Sequence, residues 1–204
     1  EAASRPASDL GLREGDTLTV EDAIRALVVQ SANDAAVVIA EHLGEDETLF
    51  AAAMTERAAA LGLTSTRFAN ASGLPDPGQV TTARDIAILG KALSDRFPRW
   101  FRYFSTERIS YNGRTWRNTN RLLTKVDGMD GIKTGFIRAS GFNLVTSVRR
   151  GGRHVVAVVM GVMSATFGGL LRDSGPGEGQ REKGCGGASE HGLLPAVLPS
   201  GGAS

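Results

Sequence analysis

Two short polar motifs, far apart in the chain, carry the residues best suited to chemistry. Ser31-Ala32-Asn33 combines a hydroxyl with a carboxamide, and Lys133-Thr134-Gly135 combines an ammonium group with a hydroxyl and a glycine. A serine hydroxyl can pass a proton to a leaving amine, and a lysine can hold a free carboxylate. A glycine lets a substrate backbone lie close against a strand. Together these groups suit attack on a peptide bond beside a C-terminal carboxylate.

The first motif is expected at the corner between two helices. Apolar residues recur with helical spacing from Val20 to about Gln30, and Thr19 is placed to cap this helix. Ser31-Ala32-Asn33 breaks the pattern, and Asp34 is predicted to cap a second, very apolar helix over 35–42. Such a helix is typical of a buried element, so the motif is expected between core elements. Two further helices are predicted, over residues 47–61 and 81–93.

The second motif is expected on a strand at the edge of a sheet. Ile132–Ile137 is a short strand, and the β-branched stretches Phe142–Val148 and His154–Gly161 are predicted to follow it as an antiparallel meander. Ile109–Trp116 is predicted to be a hairpin around Asn112-Gly113. Helices precede strands in this order, which favours an α+β fold with helices packed on an antiparallel sheet.

Composition is typical of a globular protein with one domain and a tail. The chain has 204 residues, 41% of them hydrophobic and 22% charged. The net charge of +1 gives no argument for a nucleic-acid or membrane partner. The aromatic and basic stretch Trp100–Phe104 is predicted to be a partly buried segment after a helix. No apolar run is long enough to span a bilayer, and the Gly-rich residues 169–204 are predicted to be a disordered tail.

Neither a metal nor an organic cofactor is indicated. Cys185 is the single cysteine, which excludes an intrachain disulfide and a cysteine-rich metal site. His42 and His154 lack the spacing to a carboxylate that zinc sites show, so structural roles are expected for both.

Several segments resemble one family, the D-alanyl-D-alanine carboxypeptidases, which are low-molecular-mass penicillin-binding proteins. The two motifs match two of the three signatures of active-serine penicillin-binding enzymes. The resemblance covers roughly Leu10 to Gly168 and extends to neighbouring stretches, namely residues 26–36, 70–75, 130–135 and 139–145. It implies a fold like that of β-lactamases and penicillin-binding proteins, with part of the catalytic domain over residues 1–168.

The resemblance also implies an activity and a set of site residues. Enzymes of this family remove the terminal D-alanine from peptidoglycan stem peptides through an acyl-enzyme, and β-lactams imitate that substrate. Ser31 and Asn33 would then be catalytic, and Lys133, Thr134 and Gly135 would bind the substrate. The backbone N–H of Phe136 would contribute to the oxyanion hole. The family implies export and a periplasmic location, with no nucleic-acid partner and no membrane span in these residues.

The third signature of the family, Ser-x-x-Lys, supplies the nucleophile and is not among these residues. No serine is followed by lysine three residues later, and Ser147-Val148-Arg149-Arg150 offers only an arginine, which does not deprotonate to act as a base. No base is apparent beside Ser31 in the sequence, so we do not expect it to be the nucleophile. The chain begins with Glu1 and shows no signal segment, so we expect an N-terminally incomplete domain. By itself the chain is expected neither to hydrolyse D-Ala-D-Ala nor to bind penicillin covalently.

Two other functions remain open. A β-lactamase would share the two motifs, and turnover of a chromogenic cephalosporin would identify it. A non-catalytic peptidoglycan-binding module would keep Lys133 as a carboxylate clamp without the nucleophile.

Overall fold

The computed structural model describes residues 8–163, and the predicted disordered tail over residues 169–204 lies outside them. The helices of the described part are α1 Val20–Gln30, α2 Asn33–Gly44, α3 Glu47–Ala60, α4 Ala83–Arg96 and α5 Pro98–Phe101. The strands are β1 Arg108–Tyr111, β2 Arg114–Arg117, β3 Met129–Ile137, β4 Gly141–Arg150 and β5 Arg153–Val162. There are also two 3₁₀ segments: Arg102–Ser105 connects α5 to β1, and Arg121–Thr124 lies between β2 and β3.

The predicted helices are present, with small shifts at their ends. Thr19 caps α1, since its hydroxyl accepts a hydrogen bond from the Asp22 N–H at 3.1 Å. Thr82 caps α4 in the same way, by accepting from the Asp85 N–H at 3.2 Å. The predicted end of α4 near residue 93 is too early, because the helix continues to Arg96. These caps satisfy N–H groups that a first helical turn leaves without backbone partners.

The start of α2 differs from the prediction. Ala32 occupies the N-cap position and makes no side-chain cap, and the helix already begins at Asn33. The prediction that Asp34 caps α2 is therefore wrong. Its carboxylate lies within the first turn and mainly binds backbone N–H groups of the preceding segment.

The strands form two antiparallel sheets. β1 and β2 make the predicted hairpin, in which Asn112 and Gly113 have φ angles of 46° and 74°. Two consecutive left-handed residues are what a type I′ turn requires, which explains the Asn-Gly pair. β3, β4 and β5 form a meander in that order, so β3 lies at an edge. Lys133 pairs with Val145 in this sheet.

One core joins the helices to the larger sheet. α4 packs on β4 and β5, while α1 packs on α2, the hairpin and the 3₁₀ segment that follows α5. The core cluster contains Ala26 and Val29 from α1 and Ala35 from α2, together with Ile132 and Val145 from the sheet. The predicted α+β class, with helices packed on an antiparallel sheet, is confirmed. Within residues 8–163, every helix is too short or too polar to cross a bilayer.

Candidate active site

Ser31 sits at the C-terminal end of α1 in a left-handed conformation, with a φ angle of 58° and a ψ angle of 40°. Its N–H donates to the Leu27 carbonyl at 3.2 Å, which completes the last turn of the helix. A left-handed residue ends a helix and turns the chain away from its axis. The result is a sharp corner that directs the Ser31 hydroxyl toward the sheet.

Asp34 fixes this corner against the segment that precedes α1. Its buried carboxylate accepts hydrogen bonds from the Leu10 N–H at 3.1 and 3.0 Å and from the Leu12 N–H at 3.1 Å. The Asn33 N–H donates to the Ser8 carbonyl at 2.8 Å, which adds a second tie to the same segment. Buried charged groups persist when hydrogen bonds satisfy them. The sequence predicts only a capping role for Asp34, because nothing in its spacing indicates partners in the segment before α1.

Lys133 crosses from β3 to the corner at Ser31. Its side chain is only 2% exposed, and its ammonium nitrogen donates hydrogen bonds to the Ser31 hydroxyl and to the Thr134 carbonyl, the latter at 2.9 Å. Burial lowers the pKa of the Lys133 ammonium to about 7, because a low-dielectric environment disfavours the charged form. The two motifs that the sequence separates therefore meet in space.

This contact corrects one expectation from the sequence and extends another. Ser31 was expected to lack an adjacent base, yet the Lys133 amine is hydrogen-bonded to its hydroxyl. The sequence predicts Lys133 to be a cation on a strand edge; it lies on the edge strand β3, and the structure adds that its side chain is buried. At neutral pH a lysine with a pKa of about 7 is present in both its protonated and its neutral form. The pair can therefore exchange a proton, which an ordinary surface lysine and a serine cannot do readily.

Thr134, the second residue of the strand motif, contacts a residue that is not among the site residues predicted from the sequence. Its hydroxyl donates to the Thr119 hydroxyl at 2.8 Å. The Thr119 N–H in turn donates to the Val29 carbonyl at 3.3 Å, near the end of α1. Thr119 thus links the strand side of the site to the helix that carries Ser31. It lies in an irregular segment, where neither spacing nor periodicity marks it.

Gly135 and Phe136 continue β3 toward a cavity of about 260 Å³. Gly135 is buried and pairs with Asn143 on β4. The centroids of the Phe136 and Phe142 rings are 4.5 Å apart. The cavity is mostly apolar and lies between the end of β3 and the loop that follows residue 70. Its lining includes Gly73, Leu74, Pro75, Phe136, Ile137 and Met160.

A second cluster of polar side chains lies away from this site. The Ser147 hydroxyl is 2.6 Å from Asp130 Oδ1 and 2.6 Å from His154 Nε2, and Ser94 is 3.5 Å from the other nitrogen of His154. Ser147 is fully buried, and Asp130 contacts the serine instead of the histidine. A catalytic triad needs an accessible serine and a carboxylate on the histidine. The cluster is therefore structural, as expected for His154.

The site presents a hydroxyl, an amine and a carboxamide as the groups that could take part in a reaction. Ser31 and Lys133 form a hydrogen-bonded hydroxyl–amine pair, and Asn33, two residues after Ser31, is buried at the start of α2. Such a pair can pass a proton, and the protonated amine can attract an anion. In residues 8–163, no group of three or more metal-ligating side chains comes together.

Comparison with known protein families gives a match over most of the chain. The family model described as D-alanyl-D-alanine carboxypeptidase, peptidase S11, matches residues 1–164. The D-alanyl-D-alanine carboxypeptidase DacD of Escherichia coli strain K12 is 39% identical over 155 residues, covering 76% of this chain and 40% of that protein. The chain thus spans about two fifths of the length of this curated relative.

Solved structures agree with this match. The D-alanyl-D-alanine carboxypeptidase DacD from Francisella tularensis has a TM-score of 0.79 and 27% identity, with 80% of this chain and 52% of that chain covered. Penicillin-binding protein D2 from Listeria monocytogenes, in its ampicillin-bound form, has a TM-score of 0.71 and 32% identity. In that comparison 78% of this chain and 67% of the other are covered.

Proposed function

Because the chain belongs to the D-alanyl-D-alanine carboxypeptidase family, we propose that it forms part of the catalytic domain of a serine-type enzyme of this kind. The reaction removes the terminal D-alanine from a peptidoglycan stem peptide through an acyl-enzyme, in an extracytoplasmic, periplasmic location. We assign residues 1–168 to this partial domain, and the described residues 8–163 supply two walls of the cleft. The proposal is carried by the hydrogen bond between Lys133 and Ser31, which joins the two motifs inside the region that the family model matches.

The helical wall handles the proton of the leaving group. A serine nucleophile attacks the carbonyl between the two D-alanines, and the departing amine must receive a proton. Ser31 donates its hydroxyl proton to that amine and recovers one from the Lys133 ammonium, to which it is already hydrogen-bonded. Asn33 holds a substrate amide beside it. The nucleophile belongs to the family's Ser-x-x-Lys signature, which is not among these 204 residues.

The strand wall holds the substrate. Protonated Lys133 attracts the free carboxylate of the terminal D-alanine, assisted by Thr134. Gly135 lets the peptide backbone approach β3, and the Phe136 N–H serves the oxyanion. Burial lowers the pKa of Lys133 to about 7, and a bound carboxylate shifts it upward again, since an opposite charge favours the ammonium form. Substrate binding near neutral pH is therefore accompanied by proton uptake.

β-Lactams are proposed as further ligands of the whole enzyme. The ampicillin-bound form of the Listeria monocytogenes penicillin-binding protein supports this proposal. In the whole enzyme, β-lactams would acylate the nucleophilic serine of the Ser-x-x-Lys signature. Ser31 does not replace that serine. A fluorescent penicillin, followed by denaturing electrophoresis, should therefore leave this 204-residue chain unlabelled. A covalent adduct on Ser31 would refute this assignment of roles.

Calorimetric titration with a stem-peptide mimic tests the substrate assignment. A peptide ending in D-Ala-D-Ala is expected to bind the chain more tightly than its C-terminal amide, which has no carboxylate for Lys133. In Lys133→Ala this preference for the free acid should disappear. Equal affinity of both peptides for the unaltered chain would dismiss Lys133 as the carboxylate ligand.

A further inference from the structure

A strongly basic region over residues 96–125 supplies charges that the proposed peptidase site does not use. It holds eight basic residues and one acidic residue, Glu107, which gives a net charge of +7 in a chain whose total is +1. The basic residues are Arg96, Arg99, Arg102, Arg108, Arg114, Arg117, Arg121 and Lys125. Among residues 8–163, the ion pairs involve none of these eight. A region with this excess of positive charge creates a field that favours an anionic partner.

Aromatic rings hold part of this charge in place at the end of α5. Trp100 is 44% exposed, and its ring stacks on Tyr103 with centroids 6.0 Å apart. The Arg99 guanidinium lies 5.5 Å from the Trp100 ring centroid, and that of Arg102 lies 5.7 Å from the Tyr103 ring centroid. Cation–π contacts of this kind orient guanidinium groups while leaving them charged.

The hairpin adds a second part to the same region. Arg108 and Arg117 lie directly opposite each other on β1 and β2, and both are exposed. Like charges at directly opposed positions destabilise a strand pair. An anion between them relieves this repulsion. On the hairpin's other face, the Arg114 guanidinium lies 5.0 Å from the Trp116 ring centroid.

Both parts are arranged around one helix. The hairpin and the 3₁₀ segment Arg102–Ser105 each pack against α1. From α1, Arg25 extends its guanidinium to 5.8 Å from the Tyr103 ring centroid. The two clusters thus contact the same helix, and we take them together. We call Arg99, Trp100, Arg102, Arg108 and Arg117 the basic aromatic surface.

We infer that the basic aromatic surface binds the phosphate headgroups of an anionic phospholipid bilayer. A partly exposed tryptophan flanked by arginines is the composition of segments that lie at a membrane–water interface. The Trp100 ring already stacks on Tyr103 and has the Arg99 guanidinium 5.5 Å from its centroid, and these contacts compete with the stacking of a nucleic-acid base.

Vesicle co-sedimentation tests the inference with the whole chain. We expect binding to vesicles that contain phosphatidylglycerol, no binding to phosphatidylcholine alone, and weakening as salt rises. The triple variant Arg99→Gln, Arg102→Gln, Arg117→Gln should bind about a hundredfold more weakly, since each arginine near an anionic surface contributes roughly fivefold. The control triple Arg57→Gln, Arg67→Gln, Arg84→Gln removes the same charge from other parts of the chain and should bind as the unaltered protein does.

Tryptophan fluorescence locates the contact independently of affinity. The chain has two tryptophans, so Trp116→Phe leaves Trp100 as the sole emitter. Its emission should shift to the blue when phosphatidylglycerol vesicles are added. Equal binding by the two triple variants, or no spectral shift, would overturn the inference. Binding to soluble polyphosphate or single-stranded DNA without binding to vesicles would overturn it in favour of a polyanion. None of these outcomes depends on peptidase activity.

Discussion

The amine of Lys133 on β3 is hydrogen-bonded to the hydroxyl of Ser31 at the end of α1, and the lysine is almost completely buried. This one contact joins the helical layer to the edge of the sheet. It also places an ionisable group where water does not solvate its charge, which lowers the pKa of Lys133 to about 7. Two measurable consequences follow from the same burial.

The first consequence is a titration near neutral pH. In a chain labelled with ¹³C at the lysine side chains, one lysine signal should titrate with a midpoint of about 7. Lys133→Met should remove that signal and leave the other lysines unchanged. Addition of a peptide ending in D-Ala-D-Ala should raise the midpoint, because its carboxylate favours the ammonium form. A midpoint near the ordinary value of 10.5 for Lys133 would contradict the buried geometry.

The second consequence is a pH-dependent stability. Between pH 7 and 10.5 the unfolded chain binds a proton at Lys133 that the folded chain does not, so stability rises with pH over this window. Conversely, stability falls as pH is lowered from 10.5 to 7, and Lys133 causes no further change below that. Urea unfolding should show that the free energy of unfolding of the unaltered chain, minus that of Lys133→Met, increases as pH rises from 7 to 10.5. The increase should be up to about 1.4 kcal/mol per pH unit. Lys91→Met, at an exposed position, serves as the control. A difference that stays constant with pH would exclude the lowered pKa.

Asp34 should be among the most sensitive polar positions of the chain. Its buried carboxylate accepts from the N–H groups of Leu10 and Leu12, and Asp34→Ala leaves these donors without their partner. We expect a loss of about 3 kcal/mol in the free energy of unfolding, and faster hydrogen exchange at both leucine amides. Asp46→Ala, which removes the exposed cap of α3, should cost only about 1 kcal/mol. Equal losses in the two variants would show that the anchor contributes nothing beyond an ordinary cap.

The sequence predicts this fold where local chemistry decides the structure. Thr19 at the start of α1 and Asn112-Gly113 in the hairpin follow from capping and turn preferences within a few residues. Asp34 also has the chemistry of a cap, but its partner Leu10 lies 24 residues away, and tertiary packing overrides the local preference. The residue types in the two motifs are enough to identify both as candidates for a functional site. Their contact joins residues 102 apart, which no periodicity or spacing encodes.

Ser147 should be more important for stability than its small side chain suggests. Its hydroxyl lies 2.6 Å from both Asp130 Oδ1 and His154 Nε2 and links β3, β4 and β5 from a fully buried position. Ser147→Ala leaves both partners without this hydrogen bond, and we expect a loss of about 2 kcal/mol in the free energy of unfolding by urea. Ser110→Ala removes an exposed hydroxyl from the hairpin and should cost less than about 0.5 kcal/mol. If the two variants unfold at the same urea concentration, water replaces the Ser147 hydroxyl and the cluster does not hold the three strands together.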